Sequence, residues 1–98
     1  MDRVKRARGN AKREIWYVYI VRCADGTFYT GMAKDVDRRS AAHNSGRGAA
    51  YTRARRPVRV VYRQKMWSRI SAMKREIMIK RLSRAGKEWL ILRFGSGH

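Results

Sequence analysis

Acidic residues are scarce in this chain: 7 aspartates and glutamates face 25 lysines and arginines, for a formal net charge of +18 over 98 residues. The excess recurs in every segment, which implies a polyanionic partner. Nucleic acid leads, because each neutralised phosphate releases counterion, and a membrane surface is the weaker alternative. Cysteine is nearly absent too. Cys23 alone excludes an internal disulfide framework and suits a reducing compartment; a lone thiol of this kind reads as a small hydrophobe before it reads as a nucleophile. Long apolar runs are missing: none approaches the roughly 20 residues of a spanning helix, and the N-terminus has no apolar stretch like that of a signal peptide. The chain therefore reads as cytosolic, with no membrane partner. Internal repeats are absent, and the length allows one small core.

What is present divides simply. Residues 1–13 hold six basic side chains, one acid and little apolar matter beyond Val4, so 1–14 reads as a flexible basic arm, followed by a single domain over 15–92 and a short tail over 93–98. Trp16 to Val21 is almost wholly apolar or aromatic, as a strand buried on both faces would be. Asp25-Gly26 supplies a turn, and Phe28 to Met32 a second strand. Asp35 is a candidate N-cap for a helix through about Asn44, ended by a left-handed Gly46. Residues 46–57 read as a basic loop closed by Pro57, and Val58, Val60, Val61 and Tyr62 as a third strand. Ser68 or Ser71 can cap the next helix. Its Ile70, Met73 and Ile77, widened by Met78 and Leu82, form an apolar stripe expected to face the core. Ser83 opens a last helix through Trp89 and Leu90. The expected fold class is α+β: a small three-stranded, mostly antiparallel sheet flanked by about three helices.

The hairpin makes a sharper demand. Paired residues of an antiparallel hairpin share a face, so loop length decides whether Tyr19 and Tyr29 can cooperate. A two-residue Asp25-Gly26 loop would pair Tyr19 with Met32 and send the phenols to opposite faces. A three-residue loop, Ala24-Asp25-Gly26 with Gly26 left-handed, pairs Tyr19 with Gly31 and Val21 with Tyr29, and puts both phenols on one face. Gly31 opposite Tyr19 would then leave a gap that a phosphate fits.

Arg39 and His43 follow at i, i+4 on one helical face, where a guanidinium and an imidazole can address one anion. Glu76 flanks the later apolar stripe, free to be a surface partner of Lys80 or a carboxylate at the rim of a site. Two phenols, an arginine and one carboxylate on a basic surface can organise metal-dependent attack on a phosphodiester.

Together these residues resemble the GIY-YIG nuclease superfamily, which includes the incision domain of the bacterial repair protein UvrC, and within it the short stand-alone bacterial YhbQ-like group. Tyr17-Val18-Tyr19 stands for the first motif, Tyr29-Thr30-Gly31 for the second, Arg39 and His43 for the helix motif, and Glu76 for the metal carboxylate. His43-Asn44-Ser45-Gly46-Arg47-Gly48-Ala49 and Tyr51-Thr52-Arg53 look like the stand-alone group in particular. The likeness spans about Trp16 to Leu90. Met32 departs from it, standing where UvrC-like members carry a lysine; Lys34 or Arg39 would then be the cation near a phenol.

The resemblance implies a metal-dependent endonuclease that hydrolyses DNA, on structured, damaged or single-stranded forms, with one divalent ion (Mg2+ or Mn2+) on Glu76 and water as nucleophile. Arg39 would stabilise the transition state. Tyr19 is assigned as general base and Tyr29 as the phenol positioning water or phosphate, roles that are exchangeable, while His43 holds a phosphate oxygen or relays a proton. A phenol near pH 7 needs roughly 4 kcal/mol of preferential phenolate stabilisation. One carboxylate is a thin metal site, so affinity without substrate should be weak. Arg47, Arg53, Arg55 and Arg56, interleaved with Tyr51, would clamp the backbone, with Tyr51 stacking on an unpaired base. DNA is favoured over RNA as partner. The competing expectations are a non-catalytic DNA- or RNA-binding module on the same fold, and a small ribosome-associated basic protein, which explains the charge but not the spaced tyrosines.

Overall fold

A computed structural model describes residues 14–95. The basic arm lies outside the described residues except for Glu14, as do residues 96–98 of the tail. Three strands, β1 (Trp16–Arg22), β2 (Phe28–Ala33) and β3 (Arg59–Met66), form one antiparallel sheet in the order β2-β1-β3. The helices are α1 (Val36–Asn44), the single-turn α2 (Ala50–Arg53), α3 (Arg69–Lys80) and α4 (Arg84–Phe94). Among the described residues no helix is long and apolar enough to cross a membrane.

The central strand is buried on both faces, as its composition demands. Val18 and Ile20 pack with Val61, Tyr62, Ala72, Ile79 and Leu90 on the side of α3 and α4. Tyr19 and Val21 pack with Cys23, Val36 and Val58 on the side of α1. The hairpin takes the three-residue form: Cys23 N–H donates to Thr27 C=O at 2.8 Å, Gly26 has φ +86°, and the register sets Tyr19 opposite Gly31 and Val21 opposite Tyr29. Asp25 braces the turn by accepting from Thr27 N at 3.1 Å and Thr27 Oγ1 at 2.6 Å.

Helix starts follow side-chain capping. Asp35 accepts from Arg38 N, Ser68 from Ser71 N and Ser83 from Gly86 N, each interaction contributing about 1 kcal/mol. Gly46, with φ +86°, turns the chain away after α1.

Three expectations change. The basic loop 46–57 contains α2, whose Ala50 and Arg53 are good helix formers but whose single turn is too short to show a helical period. β3 extends past Tyr62 to Met66, because an edge strand needs backbone partners on one side only and tolerates Arg63 and Lys65 in solvent. The Ile70-Met73-Ile77 stripe does not face the core. Ile70 (59%), Met73 (39%), Ile77 (43%) and Met78 (58%) are exposed, while Ala72 and Ile79 are buried. At about 100° per residue the two sets lie on roughly opposite sides of the helix. The small Ala72 lets α3 approach the sheet, and the inward face then carries Arg75 and Glu76 between Ala72 and Ile79. Arg75 reaches Gln64 Oε1 at 2.9 Å.

Candidate active site

The hairpin register brings the phenols together, and α1 crosses the same face. Val36 anchors α1 against Val21 and Val58, and Arg39 and His43, one turn apart, are thereby turned toward the sheet. His43 is fully buried. Its Nε2 lies 2.9 Å from the Tyr19 hydroxyl and its Nδ1 lies 2.7 Å from Thr52 Oγ1. Thr52, itself buried in α2, also contacts Ala49 C=O at 3.0 Å.

That chain of contacts fixes the imidazole tautomer. A carbonyl only accepts, so the Thr52 hydroxyl gives its proton to Ala49 and accepts from His43 Nδ1–H. Nε2 is left with its lone pair, and the Tyr19 O–H donates to it. Every polar atom is satisfied, and no buried side-chain nitrogen or oxygen among the described residues lacks a partner.

The electrostatics agree. Burial lowers the His43 pKa below its ordinary 6.5, and the Arg39 charge adds to this, so the ring is neutral at pH 7 and able to take a proton. Burial raises the Tyr19 pKa above 10; a hydrogen bond from Arg39 and its charge oppose the rise, while Tyr29 and Glu76 reinforce it. The resting site therefore contains phenol and neutral imidazole rather than phenolate.

Tyr29 meets the His43 ring edge-on, with centroids 5.4 Å apart, and stacks on Tyr51 at 6.0 Å. Glu76 enters from α3, close enough for its charge to act on Tyr19. It is mostly buried and pairs with Lys80 at 3.7 Å. No cluster of three or more His, Cys, Asp or Glu side chains able to hold a metal occurs among the described residues. Glu76 fits a divalent ion of the magnesium kind, which accepts one carboxylate and completes its shell with water and phosphate oxygens. It does not fit a metal held by the protein alone.

Tyr19, Tyr29, Arg39, His43 and Glu76 thus converge, although they come from two strands and two helices. Gly31 joins them in a different way from the one expected. A Cβ there would stand 2.5 Å from the Tyr19 hydroxyl and 2.7 Å from Cζ, so the gap is filled by Tyr19 itself and the glycine exists to seat the phenol. Lys34 is drawn away, bonded to Glu14 at 3.0 Å and lying over the Trp16 ring. Arg55 is committed to the scaffold: Nε bonds Asp25 at 3.1 Å, Nη1 bonds Tyr51 C=O at 2.9 Å, and the guanidinium lies 3.8 Å from the Tyr51 ring centroid. Arg56 Nε bonds Arg53 C=O at 2.9 Å, while Arg47 and Arg53 are exposed. Tyr51, half-covered by Tyr29 and Arg55, keeps 37% of its surface.

Two residues escaped the sequence reading of the site. Thr52 orients the imidazole, and Gly48 packs against it so closely that a Cβ would collide with His43 Nδ1 and lie 2.8 Å from its Cα. Both belong to stretches quoted for their likeness, but neither announces a partner, since their roles depend on how α2 folds back over α1.

A model of the GIY-YIG catalytic domain matches residues 15–88. A UPF0213 protein of Desulfotalea psychrophila is 51% identical over 85 residues, covering 86% of this chain and 77% of its own length. One of Halobacterium salinarum is 53% identical over 74 residues, covering 76% and 96% respectively. The solution NMR structure of a UPF0213 protein from Bacillus halodurans superposes with a TM-score of 0.52 at 49% identity, over 79% of this chain and 82% of that one. With most of the folded residues matched by the domain model, the chain belongs to the GIY-YIG family, a family of nucleases.

Proposed function

We propose that this protein is a metal-dependent endonuclease that hydrolyses phosphodiester bonds in DNA, acting in the cytoplasm on structured, damaged or single-stranded forms. The observation that carries the reading is the buried Tyr19–His43 hydrogen bond, with a neutral Nε2 facing the phenol. Any buried phenol needs an acceptor, and this one is an imidazole whose Nε2 lone pair can also take the proton.

The chemistry runs through that pair. Water bound at Tyr19 gives a proton to the phenol oxygen as the phenol gives its own to His43 Nε2. The resulting hydroxide attacks phosphorus as the bond to the leaving oxygen breaks; the leaving oxygen takes a proton from solvent water, and the imidazolium returns its proton outward through the Tyr19 hydroxyl. This route removes the need for a resting phenolate, which burial disfavours. Tyr29 positions the water or phosphate, and Arg39 stabilises the charge that builds on the phosphoryl oxygens. Glu76 would hold a divalent ion, which would supply charge neutralisation for the phosphate and the leaving group. Lys80, 3.7 Å from that carboxylate, holds it until then.

The test incubates pure protein with labelled single-stranded, duplex and branched DNA and with RNA, in magnesium, manganese or chelator. Cleavage of DNA that requires metal, and is lost in Tyr19→Phe and Glu76→Ala, is expected. If nothing is cut while nucleic acid is bound, the protein is a binding module on the same fold.

A further inference from the structure

Beside Tyr29, on the open edge of β2, lies a cavity of about 240 Å³ lined by Phe28, Tyr29, Thr30, Tyr51, Lys80 and Lys87. We infer that it receives one unpaired DNA nucleotide adjacent to the scissile phosphate, so that the substrate is DNA with a base out of the helical stack. The inference rests on the nuclease reading for its place in the site, and on separate observations for its occupant.

Composition indicates the ligand. Three aromatic rings form part of the wall, which suits the π-face of any base, and two ammonium groups from different helices supply charge for phosphate. Glu88, next to Lys87 in sequence, is bonded to Arg84 at 3.0 Å, and no carboxylate pairs with Lys87 among the described residues. Lys80 does have a partner, and that partner is Glu76. Metal or substrate taking Glu76 would therefore release an ammonium at the cavity as the site fills.

Size and position narrow the choice. The volume falls just below the roughly 300 Å³ at which pockets for drug-sized ligands begin, adequate for one base and too small for a stacked pair. β2 is an outer strand, so nothing in the sheet covers the entrance. Tyr29 is shared: it lines the cavity and also meets His43 edge-on. A phosphate placed at Tyr19 and Arg39 would thus have its neighbouring nucleotide at the cavity mouth. Duplex DNA keeps its bases stacked inward, and entry requires a base that is flipped, bulged or single-stranded.

The experiment uses chelator, so that cutting does not intervene, and measures by anisotropy the binding of the full chain to single-stranded DNA, blunt duplex and duplex with a one-nucleotide bulge. Lys87→Gln is expected to weaken single-stranded and bulged DNA about tenfold and blunt duplex less than twofold. A 2-aminopurine at the bulge should be quenched by the parent protein and regain fluorescence with Tyr51→Leu. Equal losses on all three DNAs, or unquenched 2-aminopurine bound to the parent, would overturn the pocket. RNA versions bound more tightly at equal salt would overturn the assignment to DNA. Discrimination by a protein that never cuts would keep the pocket and sink the nuclease reading, whereas cutting without discrimination would do the reverse.

Discussion

The Tyr19 hydroxyl donates to His43 Nε2 at 2.9 Å inside the protein, between residues 24 positions apart. The bond joins β1 to α1, and its direction is set from behind by Thr52. Tyr19→Phe deletes the donor without changing the ring that packs in the core. Cleavage should fall by about 10² or more, with the fold retained by circular dichroism and stability lower by about 1–3 kcal/mol for the buried Nε2 left unpaired. Denaturant melts and cleavage rates on one preparation check both.

Thr52→Val keeps shape and removes the acceptor for His43 Nδ1–H. The ring is then free to place its proton on Nε2, which no longer accepts from Tyr19. We expect about a tenfold loss in kcat with KM little changed, rescue in Thr52→Ser, and a 15N tautomer pattern for His43 that shifts away from Nδ1–H. A stable variant with parental tautomer and parental rate would contradict the orientation argument.

Stability should depend on pH at both ends. The folded His43 pKa lies below 6.5, so below that value the unfolded chain binds the proton first; the stability contributed above about pH 6.5 is lost as pH falls through the folded pKa. Tyr19 is raised above 10, so its contribution is whole below pH 10 and is lost at higher pH. Calorimetric Tm should decline on both sides, and His43→Gln should flatten the acid side alone.

Gly31→Ala places a methyl 2.5 Å from the Tyr19 oxygen. The phenol must move away from His43, or β2 must shift from β1. Overpacking of this kind costs about 1–3 kcal/mol, and activity should fall further than stability does. Gly31→Ala with parental cleavage would show that the phenol is not tightly seated.

The two sides of α3 can be told apart by truncation. Ile79→Ala should cost about 2–5 kcal/mol, whereas Ile77→Ala, at an exposed position, should stay near 0.5 kcal/mol. Denaturant titrations read the difference directly.

The hairpin and caps were legible because their determinants are local. The sequence narrowed the hairpin to two loops, each with its own register, and the structure takes Ala24-Asp25-Gly26, which puts Tyr19 and Tyr29 on one face with Tyr19 opposite Gly31. Asp35 and Ser83 announce helix starts by chemistry confined to a few residues, and of the two candidates Ser68 and Ser71 the structure takes Ser68. The apolar stripe of α3 was misleading for a related reason. Periodicity reports which residues share a face, not which face meets the sheet, and here the contact was taken by the small Ala72 together with Ile79.

By itself, then, the sequence determined a basic α+β chain with the motifs of its family, and left open whether its two phenols share a face of the sheet. Tertiary structure alone decided that Glu76 faces inward, that Gly31 seats Tyr19 rather than a phosphate, that Arg55 belongs to the scaffold, and that Thr52 sets the tautomer of His43. The reason is the range of the interactions. Turns and caps close within a few bonds of the chain, while the buried Tyr19–His43–Thr52 hydrogen-bond chain needs β1, α1 and α2 packed together before any of its bonds exists.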